Sequence, residues 1–152
     1  MKGFGNKKKN VQKQNSKGNS NPNGDQLISN AFQYHSKGKF KEASDIYKYL
    51  IKNGYYDPRV LINLGTIYQQ ANDFENAIIL YKESIKKFPN NPEAYSNLGS
   101  ILIKKNENKL AEQYLKKAID LKPDYLIAYS NLVNIYVNEG NLEKAEIYLR
   151  KS

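Results

Sequence analysis

The stretch Asn-Pro-Glu-Ala-Tyr-Ser-Asn-Leu-Gly-Ser-Ile, Asn91 to Ile101, decides the fold, because it opens a 34-residue unit, Pro92 to Tyr125, that the chain repeats. Units beginning at Gly24, Pro58, Pro92 and Leu126 align without an insertion. Position 20 of each holds Ala43, Ala77, Ala111 and Ala145, and position 24 holds Tyr47, Tyr81, Leu115 and Leu149. Position 11 holds Tyr34, Tyr68, Leu102 and Tyr136, and position 4 holds Leu27, Leu61, Tyr95 and Tyr129. Ile51, Ile85 and Ile119 recur at position 28 of the complete units. Agreement at one fixed period marks a stacked-repeat architecture, in which each unit needs its neighbour to bury an apolar face.

Each unit reads as two helices. Tyr95, Leu98 and Leu102 follow three-four spacing, as do Ala111, Leu115 and Ala118, which predicts helices at about 92–105 and 108–121. Between them, position 15 holds Gly38, Asn72, Asn106 and Gly140. These residue types enter the left-handed conformation most cheaply, as a helix C-terminus requires. Asp73 and Asn141 follow where a second helix takes its N-cap, and Pro89 and Pro123 close the second and third units. Gly65 and Gly99 at position 8, with the position 20 alanines, mark close helix approaches. Most of the 13 tyrosines fall at core positions, leaving Tyr55, Tyr56 and Tyr125 in the connections as candidates for exposed contacts.

Composition narrows the functional classes. No cysteine is present, which removes disulfides, thiol nucleophiles and thiolate metal sites and suits a reducing compartment. No apolar run approaches the roughly 18 residues of a membrane span, and the basic start lacks the apolar segment of a signal peptide, so a cytoplasmic location is expected. Of the net charge of +9, six lysines and no acid lie in residues 1 to 24. The remainder is nearly balanced and offers no dedicated nucleic-acid surface. Residues 1–23, rich in Lys, Asn, Gln, Gly and Ser, cannot bury enough apolar surface to offset ordering and read as a disordered basic tail. Gly3-Phe-Gly5 is not a phosphate loop, because no strand precedes it and no third glycine follows at the right distance. His35, the sole histidine, reads as a surface residue, and no metal cluster, activated nucleophile or phosphate loop is visible. A non-catalytic protein with neither cofactor nor metal is expected.

At the repeated residues the chain resembles the tetratricopeptide repeat family. That family's loose pattern is matched in the third unit by Tyr95, Leu98, Gly99, Ala111, Ala118 and Pro123. The resemblance runs over residues 24–152, divided into repeats 24–57, 58–91 and 92–125 and an incomplete 126–152. It implies an all-α, right-handed superhelical solenoid of antiparallel helix pairs behind the tail. The lysine- and asparagine-rich start also resembles the N-terminal part of certain bacterial repeat proteins, some of which continue into a transferase domain. Departures from the pattern are local. Asn30 stands where Leu belongs, Tyr55 replaces the closing proline, and Val133 replaces glycine, which should loosen or shift the fourth pair. Leu142, Ala145, Ile147, Tyr148 and Leu149 form a last apolar face without a polar capping helix after it. Self-association through that face is one expectation, and truncation of a longer protein is the other.

The resemblance further implies that the first helix of each pair lines a concave groove through positions 2, 5, 6, 9, 12 and 13. Position 6 holds Ser29, Asn63, Asn97 and Asn131, and position 9 holds Phe32, Thr66, Ser100 and Asn134. Position 13 holds Ser36, Gln70, Lys104 and Asn138, and position 5 holds Ile28, Ile62, Ser96 and Ser130. The candidate peptide-binding set is Asn63, Asn97, Asn131, Thr66, Ser100, Asn134, Gln70, Lys104 and Asn138. Carboxamides both donate and accept, which suits the backbone of an extended peptide. The Asn63, Asn97, Asn131 series resembles the asparagine ladder of protein O-linked N-acetylglucosamine transferases. The cationic clamp of chaperone-tail binders is absent, since Ile28, Phe32, Ile62, Thr66 and Asn131 occupy its places. The expected function is a protein–protein interaction scaffold holding an extended peptide segment of an unidentified partner. The alternatives are substrate recognition for a transferase and nonspecific nucleic-acid association through Lys7, Lys8 and Lys9.

Overall fold

A computed structural model describes residues 22–151, and the expected disordered tail lies, but for its last two residues, outside the described residues. Eight α-helices and no strand make up the described chain. They are α1 (Pro22–Ser36), α2 (Phe40–Lys52), α3 (Pro58–Gln70), α4 (Phe74–Lys87), α5 (Pro92–Lys104), α6 (Asn108–Leu121), α7 (Leu126–Asn138) and α8 (Leu142–Lys151). The first helix thus starts two residues ahead of Gly24.

Capping explains the boundaries. Asp57 and Asn91 accept backbone N–H bonds from Arg59 and Glu93, and Pro58 and Pro92 occupy the first helical position, where their missing N–H costs nothing. Asp73 accepts from the Asn76 N–H and Asn141 from the Lys144 N–H, as the sequence predicts. At the end of each first helix, Gly38, Asn72, Asn106 and Gly140 adopt φ of 72°, 60°, 61° and 72°. The left-handed residue folds the next N–H back over the helix end. Lys39, Asp73, Glu107 and Asn141 donate to the carbonyls of Tyr34, Tyr68, Leu102 and Tyr136 at 2.8–2.9 Å. The same orphan carbonyl is therefore satisfied in the same way four times. Asn106→Ala should cost about 1 kcal/mol in urea denaturation while Asn106→Gly costs nothing, because only the alanine is forced into an unfavourable φ.

Packing follows the period. Each helix packs on its hairpin partner (α1 on α2, α3 on α4, α5 on α6, α7 on α8), and each second helix packs on the first helix of the next pair. In addition α3 meets α5 and α5 meets α7, whereas no two second helices pack comparably. The first helices are thus closer together, so the stack curves with them on its concave side. The buried core forms two clusters, one over α1 to α4 and one from α3 to α8, with the half-buried Tyr68 packed against both, and Ala43, Ala77 and Ala111 are fully buried at the hairpin contacts. A Cβ on Gly65 would lie 2.5 Å from the Tyr81 ring, and one on Gly99 would lie 2.8 Å from Leu115 Cγ. Only glycine permits these contacts. Val133 stands at the equivalent place in the fourth pair, and Leu149, the counterpart of Tyr81 and Leu115, is 62% exposed.

Two expectations are corrected. Ile28, Ile62 and Ser96 at position 5 are buried between neighbouring pairs and do not line the groove; only Ser130 is exposed. Of the connection tyrosines only Tyr56 is exposed. Tyr55 covers Gly24 and Tyr125 packs on the core, while Tyr34 and Tyr49 are exposed on helices.

Candidate binding groove

The concave face is built from α1, α3, α5 and α7. Asn63, Asn97 and Asn131 are half-buried on consecutive inner helices, as are Thr66 and Ser100. Asn134, Gln70, Lys104 and Asn138 are exposed further along the same helices. Positions 6, 9 and 13 share a stripe on one helix face, so the nine residues form a three-by-three array.

Two tyrosines from the second helices organise this array. The Asn63 Nδ2 donates to the Tyr47 hydroxyl at 3.4 Å, across the step between the first and second pairs. One period later Asn97 lies near Tyr81 and helps to lower its pKa. Tyr81 donates to Gln69 Oε1 at 3.0 Å and lies 3.3 Å from Thr66 Oγ1, which donates to the Ile62 carbonyl at 3.0 Å. Burial pushes both phenols up to about 12, partly offset by the Asn63 bond in one and by Thr66 and Asn97 in the other. Both therefore stay neutral and hold their hydrogen-bonding roles at ordinary pH. Tyr47 thus holds the Asn63 amide by its nitrogen, while Tyr81 is held by Gln69 and Thr66. Leu115 takes the tyrosine's place in the third pair, so Asn131 has no such anchor.

Sequence reasoning had given Tyr47 and Tyr81 to packing alone and had not singled out Gln69. The signal was present as a constant separation, since Tyr47 to Asn63 and Tyr81 to Asn97 are both 16 residues. Asn138 donates to Asn134 Oδ1 at 3.0 Å, and the Lys104 ammonium sits 5.3 Å from the Phe74 ring centroid. At the groove's edge Arg59 forms a fork onto Asp57, with a shortest contact of 2.7 Å, and lies 5.1 Å from the Phe32 ring centroid. Although burial pulls the Asp57 carboxyl upward, the Arg59 bonds hold it below the usual carboxylate range. The groove is polar with few unpaired charges. His35 packs edge-on against Phe40 at 5.4 Å and Tyr47 at 6.3 Å, and burial lowers its pKa, which gives it a packing role.

Ser96 Oγ and Ser84 Oγ are buried and have no hydrogen-bond partner among the described residues. Ser96→Ala should therefore stabilise the chain by about 1 kcal/mol in chemical denaturation, since it removes an unsatisfied hydroxyl with little loss of volume.

An antiparallel helix-pair stack with a polar inner face places the chain in the helical-repeat class of proteins. Residues 36–92 and 62–125 match one tetratricopeptide repeat family, and residues 102–151 match a second of the same description. The chain belongs to the tetratricopeptide repeat family. A MamA protein structure is similar at 27% identity and a TM-score of 0.73, covering 84% of this chain and 70% of that one. The type III secretion translocator chaperone SycD of Yersinia enterocolitica is similar at 25% identity and a TM-score of 0.72, covering 79% and 96%. The first repeat domain of Spaghetti (RPAP3), bound to the HSP90 peptide SRMEEVD, shares the fold at 20% identity and a TM-score of 0.71, covering 77% and 93%. No curated protein matches the sequence. Among the described residues no helix is long and apolar enough to cross a membrane.

Proposed function

We propose that this chain is a non-catalytic protein–protein interaction scaffold that holds an extended peptide segment along the concave face. The single observation that carries the reading is the Asn63 amide anchored on the Tyr47 hydroxyl in the middle of the asparagine-bearing inner face. Anchoring reduces the rotamer freedom lost on binding, so the Asn63 carboxamide is preorganised for a peptide backbone. Helix axes packed about 8–10 Å apart and a rise of about 3.3 Å per extended residue give one rung for roughly every three peptide residues. The acidic HSP90 peptide held by RPAP3 is a poor guide here, because Asn131 and Thr66 supply no cation. The partner is expected to be read mainly through its backbone.

Substrate recognition for a separate transferase uses the same groove and is a special case of this reading. Binding through the lysine tail is the competing mode. Peptide-array binding should survive deletion of residues 1–23 and fall at least about tenfold when Asn63, Asn97 and Asn131 are all replaced by alanine, given roughly 1 kcal/mol per net hydrogen bond. Unchanged binding in the triple variant sinks the ladder, and loss on tail deletion assigns binding to the lysines.

A further inference from the structure

The outer face of the stack carries a hollow that the inner groove does not use. α2 and α4 do not pack on each other as each packs on α3, so a cleft runs between them with α3 as its floor. On its leading side, the side turned to the preceding pair, α3 supplies Leu64 and Tyr68 to that floor. Ile51 of α2 and Ile79 and Leu80 of α4 form the walls, and the hollow has a volume of about 270 Å³. Ile79 is 60% exposed, a large apolar side chain left in water at the rim.

One difference within the repeat accounts for the opening. Leu80 stands at position 23, where the third and fourth pairs carry Tyr114 and Tyr148. Both of those rings are half-buried against the first helix of their own pair. Tyr114 lies 6.2 Å from the Tyr95 ring centroid, and Tyr148 stacks on Tyr136 at 5.4 Å with 30° between the ring planes. Tyr136 and Tyr68 occupy the same position of the repeat. The fourth pair therefore shows what fits against that tyrosine, namely a second aromatic ring laid on its face. In the second pair leucine is too short to reach across, and the place of the ring is open.

The rim is basic. Lys48 and Lys52 border the hollow from α2, and both are exposed. Lys82 and Lys86 repeat this pair one unit later on α4. The run ends in the third unit, where Lys116 is held by Glu112 at 2.6 Å and Asp120 takes the other place. The acids that flank the α4 wall are engaged elsewhere. Asp73 accepts from Asn76 Nδ2 at 2.7 Å, and Glu83 lies 4.0 Å from the Lys87 ammonium. Asp45 of α2 borders a different hollow, with Leu27 and Tyr49. The Lys48 ammonium sits 5.5 Å from the Tyr68 ring centroid. An entering ring displaces it from that face, so a carboxylate carried by the same ligand must become its new partner.

The hollow takes one ring and is smaller than the roughly 300–1,000 Å³ of sites that enclose a whole small molecule. Tight binding therefore needs further contacts on the lysine-bearing surface around it, which a peptide makes and a free aromatic acid does not.

We propose that the cleft between α2 and α4 is a second docking site, for a partner-protein segment that lays an aromatic side chain on Tyr68 between acidic residues held by Lys48 and Lys52. Ring stacking supplies the anchor, and the lysines select the acidic flanks. The site is separate from the concave groove and does not depend on it.

The probe is the fluorescein-labelled peptide Ser-Glu-Glu-Phe-Glu-Glu-Ser, titrated into the full chain at low salt and followed by anisotropy, beside the same peptide with Ala in place of Phe. The Phe peptide should bind at least about tenfold more tightly. Leu80→Tyr supplies the ring from within, as the fourth pair does, and should remove that preference while the chain keeps its urea midpoint. Lys48→Gln combined with Lys52→Gln changes only exposed positions and should weaken the Phe peptide about tenfold. No saturable binding, or equal binding of the two peptides as the lysine tail alone would give, overturns the proposal. A preference for Phe that survives Leu80→Tyr overturns it as well. So does phenylacetate competing as strongly, mole for mole, as the unlabelled peptide, since the hollow would then serve a small aromatic acid. A dimer of the parent chain in sedimentation that Leu80→Tyr dissolves would give the hollow to a second copy and also overturn it.

Discussion

Tyr81→Ala is expected to destabilise the chain by about 3–5 kcal/mol, the range for emptying a buried aromatic site. The ring is fully buried and lies so close to Gly65 that no other residue fits there. Truncation leaves a cavity where α3 and α4 approach most closely, and relaxation of two rigid helices fills little of it. Against a total stability on the order of 5–15 kcal/mol, the loss is a large fraction. Tyr81→Phe keeps the ring and removes only the hydroxyl. Its cost should be near 1 kcal/mol, because Gln69, Thr66 and Asn97 are half-buried and can turn to water. Guanidinium denaturation of both variants separates the two contributions. A cost below about 1 kcal/mol for the alanine variant would mean that the pair repacks and that the close approach does not need the ring. In a linear array each pair leans only on its neighbours, so damage here should also broaden the transition as the two ends of the stack uncouple.

The architecture was legible because it rests on features that recur at a fixed distance. A single Asn at position 72 or 106 means little, but two asparagines and two glycines in register demand the left-handed conformation that all four adopt. The helix limits of the third unit followed from the same repetition. The groove was less legible because exposure depends on which neighbour covers a helix face. Position 5 lies on the flank of the inner helix, so curvature of the stack decides whether it meets solvent or the next pair. Ile28, Ile62 and Ser96 are covered, while Ser130 is not. The tyrosine anchors were obscured for a different reason. A tyrosine that packs its ring in the core and sends its hydroxyl to the surface serves both regions, and apolar patterning reports only the first. The spacing between Tyr81 and Asn97 becomes meaningful only once α4 and α5 are known to be adjacent.

Leu98→Asn should be the most damaging single change, at about 4 kcal/mol or more, although it copies a residue already present at the same place in the first unit. Leu98 is fully buried on the leading side of α5. Its loss combines the removal of apolar volume, about 2–5 kcal/mol for a leucine truncated in a core, with the burial of an amide that finds no partner. Asn30 occupies the equivalent position on α1, where it is only half-buried and its amide oxygen accepts from the Gln26 amide. The reciprocal change, Asn30→Leu, should move stability by no more than about 1 kcal/mol, because the site is only half-buried and loses one exposed hydrogen bond. It should instead create an apolar leading stripe and promote association through the end of the stack. Urea denaturation measures the two costs, and sedimentation of the Asn30→Leu variant measures the association. Similar costs for the two substitutions would mean that the leading side of α1 is as well covered as that of α5, against the exposure of Gln26 and Gln33 beside the half-buried Asn30. A large asymmetry instead ties the cost to burial by the neighbouring pair, because the leading stripe that holds Leu98 is fully covered inside the stack and Asn30 on α1 is only half-buried.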